Sequence, residues 1–141
     1  MLSLDRILTT ENGAAADLAA NIRDGKDVSA FGLPFYARMA VAALQKRFVY
    51  VVSDISLARE AYDFFAAVCP RTVLLPPRFD VLLYKRLSSD SSDGDRFAAL
   101  FDAACGDANV VVTTAAALLQ LYPTAARLAE HAVTLTVGGE Y

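Results

Sequence analysis

The sequence predicts an α/β protein, a parallel sheet of about five strands with helices on both faces. Three observations predict it. From residue 14 onward, helix-length segments alternate with short apolar runs. The run Phe48-Val49-Tyr50-Val51-Val52 is continuously apolar, β-branched and aromatic, the pattern of a strand buried on both faces of a parallel sheet. Units of strand, helix and strand at this length close with right-handed crossovers, which lays successive strands parallel.

Taken in order, residues 14–23 read as a helix, with Leu18 and Ile22 at i and i+4, and residues 28–31 as the first strand. Residues 36–46 form the next helix, where Tyr36, Met39, Ala40, Ala43 and Leu44 mark one buried face. Residues 48–52 are the second strand. Ser53 or Asp54 then caps a helix whose inner face is Leu57, Ala61, Phe64, Phe65 and Val68, and Pro70 forbids its continuation. Thr72-Val73-Leu74-Leu75 is the third strand, stopped by Pro76-Pro77. Ser92-Asp93-Gly94-Asp95 has the form of a capping box, and Phe97, Leu100, Phe101 and Ala104 follow as an amphipathic face that Gly106 ends. Asn109-Val110-Val111-Val112-Thr113 is the fourth strand, Thr114 caps a helix reaching Leu121, and Pro123 begins a short helical turn. Residues 132–137 alternate as the last strand. Residues 1–26 thus make a helical lead-in and residues 27–141 one α/β domain. Ending on Gly138-Gly139-Glu140-Tyr141, just past a strand, the chain is expected to continue into further protein.

With 141 residues, 55% hydrophobic and 21% charged, the chain can bury a real core and is too apolar to be disordered. A formal net charge of −3 gives no global positive field to draw it to nucleic acid or anionic membrane. No leader-like start and no apolar run of ~18 residues is present, so a cytoplasmic location without membrane contact is expected. Cys69 and Cys105 lack C-x-x-C spacing and read as buried free thiols. A single histidine, His131, excludes most catalytic triads and zinc sites.

The segment from Asp27 to Met39 has the outline of a phosphate-binding loop without its chemistry. A short apolar run reaches Gly32, a turn follows, and a helix begins. A working G-x-x-x-x-G-K-[ST] loop needs a second glycine, a lysine and a hydroxyl, and Ala37, Arg38 and Met39 stand in those places. Met39 cannot ligate Mg²⁺, and Pro34 removes one N–H from the cradle. No bound nucleotide is expected at Gly32, Ala37, Arg38 and Met39. A dinucleotide site would need a glycine where Pro34 stands.

The stretch Leu75 to Ser88 is apolar, aromatic and basic at once. One reading is a connector in which Phe79, Leu82 and Tyr84 plug the sheet edge while Lys85 and Arg86 stay solvated. The other is an interaction or nucleic-acid surface of Arg78, Lys85, Arg86 and Arg96, with Phe79 and Tyr84 available for stacking and Asp80 among them. Asp90, Asp93 and Asp95 have the wrong spacing for a calcium loop, so no metal is expected. Asp54 and Thr113 at strand ends resemble a phospho-acceptor pair, but the acidic pair and lysine of such a site are missing.

Residues 27–138 resemble the N-terminal, UvrB-like module of bacterial transcription-repair coupling factors, the Mfd family. Three matches carry the resemblance. They are the degenerate loop Gly32 to Arg38, the segment Phe79-Asp80-x-Leu82-x-Tyr84-x-x-x-Ser88 with Arg96-Phe97-x-x-Leu100 after it, and Val110-Val111-Val112-Thr113 with Leu118-Leu119, Pro123 and Leu135-x-Val137-Gly138. Leu83 stands where the family usually has proline, and Phe79 where tryptophan is common.

The resemblance implies a helicase-like fold with a degenerate P-loop and a non-catalytic scaffold role in nucleotide excision repair. The whole protein would displace RNA polymerase stalled at DNA damage, drive itself with ATP and Mg²⁺ in a C-terminal translocase, and recruit UvrA through a module inserted after this segment. This chain would itself hold no cofactor and catalyse no reaction, and would make contacts within the protein. The alternative is a nucleotide- or DNA-binding domain of a UvrB-type helicase, in which Arg38 replaces the lysine.

Overall fold

A computed structural model of the chain describes residues 13–78 and 90–133. Helix α1, Gly13–Arg23, buries Ala19. Residues 24–34 then run without regular structure. This corrects the strand expected at residues 28–31. Phe31 is 92% exposed and Val28 is exposed as well, so the four-residue run buries too little to hold it in a ladder. Gly32, at φ 76°, turns the chain into α2, Phe35–Ala42.

Helix α2 starts after Pro34, whose fixed φ suits a helix entry, and it stops at Ala42, earlier than the spacing suggested. Its inward side is Met39, wholly buried, with Phe35, Ala42 and Ala43 packed on the same core. Tyr36, expected on that side, points outward and donates a hydrogen bond to the Glu60 carboxylate.

Strand β1, Phe48–Val52, leads to α3, Ile55–Val68, and strand β2, Thr72–Leu75. Then come α4, Asp90–Ala104, strand β3, Val110–Thr114, and two short helices, α5, Ala115–Leu118, and α6, Ala125–Glu130. The strands are parallel in the order β1-β3-β2, with Tyr50 and Leu74 both level with Val112. Three strands therefore make up the sheet among the described residues, against about five expected. Most of the expected last strand, residues 132–137, lies outside them.

Two apolar layers hold the sheet. On one face Phe48, Tyr50, Val52, Leu74, Val110 and Val112 meet Ala58, Ala61 and Phe65 of α3 and Met39 of α2. Phe65 is wholly buried, with its ring edge-on to Phe48 at 5.2 Å and Tyr50 at 5.0 Å between centroids. On the other face Val73, Leu75 and Val111 meet Ala99 and Leu100 of α4, with Tyr122 and Leu128 beside them.

Strand β1 is not buried on both faces as its composition suggested. Its burial alternates, because α4 lies against β2 and leaves Val49 and Val51 open. Helix α4 also departs from expectation. It already begins at Asp90, so Ser92-Asp93-Gly94-Asp95 lie inside it rather than capping it. Its inner side is Arg96, Ala99 and Leu100, whereas Phe97 and Phe101 face solvent.

Gly106 does follow the helix end, and nothing larger fits there. A Cβ would lie 2.8 Å from the Asp102 carbonyl oxygen. Cys69 is half-buried, which pushes its thiol pKa up. Cys105 is exposed rather than buried, its Sγ 3.3 Å from the Ala125 carbonyl. No helix among the described residues is long and apolar enough to cross a membrane.

Truncating Phe65 to alanine removes the ring that joins α3 to β1 and β3. Such a change is expected to cost about 3–5 kcal/mol, seen as a lower urea midpoint at unchanged slope.

Candidate functional site

In an open parallel sheet, the carboxyl ends of the strands are where side chains from different loops converge. Here β2 ends at Leu75 and Pro76-Pro77 carry the chain to Arg78. Strand β3 ends at Thr114, whose hydroxyl caps α5 by accepting from the Ala117 N–H at 3.2 Å. Just before it, the buried Thr113 hydroxyl donates to the Leu75 carbonyl at 2.9 Å, fastening the two strand ends together.

Gln120 joins the two loops. Its Oε1 accepts from the Arg78 N–H at 2.9 Å and its Nε2 donates to the Arg78 carbonyl at 3.0 Å, a two-way pairing of amide and backbone. The same Oε1 accepts from Nη2 of Arg96 at 3.1 Å. Arg96 is only 9% exposed, and its guanidinium lies 5.2 Å from the centre of the Tyr122 ring. The Tyr122 hydroxyl donates to the Ala117 carbonyl at 2.9 Å, which fixes the ring. Among the described residues, the buried Nε of Arg96 has no hydrogen-bond partner.

Of the seven interaction residues read from sequence, the structure brings Arg78 and Arg96 together. Phe79, Asp80, Tyr84, Lys85 and Arg86 lie outside the described residues. The two arginines differ in kind, since Arg78 is exposed and Arg96 is a buried strut. Sequence reasoning missed Gln120 and Tyr122. The one signal was a lone amide in the otherwise apolar run Leu118-Leu119-Gln120-Leu121-Tyr122.

The degenerate loop lies elsewhere and lacks the preceding strand. Gly32 has its positive φ and Ala37 is half-buried. Arg38 turns back to donate from Nε to the Leu33 carbonyl at 2.9 Å, and Met39 fills the core. The Glu60 hydrogen bond, and then its charge, push the Tyr36 phenol pKa up. Burial pushes Tyr50 up, with the Arg38 charge opposing.

Asp54 caps α3, its Oδ1 accepting from the Ser56 and Leu57 N–H groups at 3.0 Å while the Ser53 hydroxyl donates to Oδ2. The bond from Leu57 and then that from Ser53 hold its pKa below the usual carboxylate value. Asp54 is thus engaged at a helix end, while the Thr113 hydroxyl is committed to the Leu75 carbonyl. His131 closes α6, its Nδ1 2.8 Å from the Arg127 carbonyl. Among the described residues, no three His, Cys, Asp or Glu side chains gather as a metal site.

Comparison of the chain with protein-family models, curated proteins and solved structures gives no match.

Replacing Gln120 by leucine leaves the Arg78 N–H and the Arg96 guanidinium without their acceptor. The expected loss is about 1–3 kcal/mol in chemical unfolding, part of which returns when Arg96→Met is added. Asp54 sets a separate pH dependence. Because its folded pKa is depressed, its stabilisation is present above the unfolded carboxylate pKa and disappears as pH falls through the lower folded value. Melting curves of the native chain and Asp54→Asn are therefore expected to converge between about pH 5 and the acid limit of folding.

Proposed function

We propose that this chain is a non-catalytic scaffold domain of the UvrB-like kind, part of a transcription-repair coupling factor. In that role it positions neighbouring modules, among them the one that recruits UvrA, while ATP-driven translocation and polymerase displacement belong to other parts of the protein. Its fold would then be a UvrB-type domain whose sheet is extended to about five strands. The parallel α/β sheet is compatible with this reading, and the ordered matches from Gly32 to Gly138 motivate it.

One observation carries the non-catalytic part. At the degenerate loop the sole cation, Arg38, donates from Nε to the Leu33 carbonyl, and Met39 occupies the core where a Mg²⁺-binding hydroxyl would stand. A phosphate would meet no lysine, no hydroxyl, and at Pro34 no N–H. The alternative of a nucleotide- or DNA-binding domain is less well supported. One of its four cations, Arg96, is buried against Tyr122 and Gln120 rather than offered to a phosphate backbone.

Calorimetric titration with ATP and Mg²⁺ tests the reading. No heat of binding is expected up to millimolar nucleotide. Micromolar affinity that Arg38→Ala abolishes would overturn it in favour of the nucleotide-binding alternative.

A further inference from the structure

We propose that the outward side of α4, from Gly94 to Cys105, is a docking surface for a basic amphipathic helix of a protein partner, independently of the family reading.

Helix α4 is apolar on two sides. Ala99 and Leu100 lie against the sheet, while on the opposite side Phe97 is 54% exposed and Phe101, one turn further on, 37%. One exposed ring would need no explanation. Two on the same side of a helix whose other side is already buried make a second apolar stripe, and such a stripe serves to be covered.

The residues around the rings give the surface its shape. At 3.6 residues per turn, Gly94, Ala98 and Cys105 fall in a row beside the two phenylalanines, and Asp95 and Asp102 fall in the row beyond. All seven are exposed. The middle row is low, since a Cβ built on Gly94 would meet nothing within 4 Å, and the Cys105 thiol sits against the Ala125 carbonyl. A channel with one aromatic wall and one carboxylate wall results, and the ridge of another helix fits such a channel.

Charge selects the occupant. Between Gly94 and Cys105 the outward charges are Asp95 and Asp102, both acidic, and the one cation, Arg96, is buried on the sheet side against Gln120 and Tyr122. Helix α6, beside the last turn of α4, adds Arg127 and Glu130, which balance each other. A helix that sets apolar side chains on the rings and Lys or Arg on the aspartates matches both walls. A second copy fits less well, because this side of α4 offers no cation to receive its carboxylates. The same carboxylates repel a phosphate backbone or an anionic membrane.

Fluorescence anisotropy of labelled amphipathic peptides with the whole chain tests this. One peptide carries lysine beside a leucine stripe, a second carries glutamate in those places, and a third is the lysine peptide scrambled. The lysine peptide is expected to bind at least tenfold more tightly than either of the others. Gly94→Leu, which fills the middle row, and Phe97→Ser should each weaken it at least tenfold, while Gly94→Leu keeps the native melting temperature because that space is open. Asp95→Lys with Asp102→Lys should reverse the preference between lysine and glutamate. No binding of the lysine peptide at millimolar concentration would overturn the proposal, as would indifference to Gly94→Leu. Equal binding of the scrambled peptide would do the same, by reducing the effect to general attraction to a chain of net charge −3. A dimer in sedimentation that Phe97→Ser dissolves would give the surface to a second copy instead.

Discussion

Among the described residues the sheet depends on β3, the last of its three strands in sequence and the middle one in space. Strands β1 and β2 do not pair with each other, and among the described residues each finds its backbone partner on β3 alone. Until residues 110–114 arrive there is no ladder, and Phe65 has neither Val110 nor Val112 to pack on. The favourable terms therefore appear together, after long loops have been closed, which is the condition for cooperative and comparatively slow folding. Central position also explains the composition of β3. Val110, Val112, Thr113 and Thr114 are all buried, and the two hydroxyls are satisfied by the Leu75 carbonyl and the Ala117 N–H.

The same strand organises the loops at the carboxyl end. Thr113 fastens β3 to β2, Thr114 starts α5, and the chain beyond it carries Gln120 back to the loop leaving β2. A buried guanidinium without a carboxylate among its described partners is tolerable there because the Gln120 oxygen and the Tyr122 ring face it together. The opposite holds at the loop after Gly32. There the polar groups are turned on one another, and what remains is a helix entry and a core methionine.

What was legible in the sequence was what local chemistry decides. The β-branched runs gave β1, β2 and β3, the apolar spacing gave Phe65 and Ala61 on the inner side of α3, Thr114 is the cap that its position suggested, and of Ser53 and Asp54 it is Asp54 that caps α3. The apolar run at residues 28–31 misled because a strand needs a neighbour as well as a composition. On α4 the spacing predicts Phe97, Leu100, Phe101 and Ala104 as the buried side, and of these Leu100 is buried while both phenylalanines are exposed. The inner side is set instead by Arg96, which enters only because Gln120 and Tyr122, far along the chain, receive it. No spacing within α4 records that fact. Of the candidate site, the arginines could be read as cations, but not that one of them would serve as a strut and the other as a surface group.

Strand β1 has a partner on one side among the described residues, and Val49 and Val51 stand uncovered on one face. A strand of this kind is a template on which another extended chain could add, edge to edge. Lys46 and Arg47 lie exposed immediately before it. Two adjacent positive charges at the mouth of an apolar edge repel their counterparts on a like strand, so they oppose the stacking of such edges on one another.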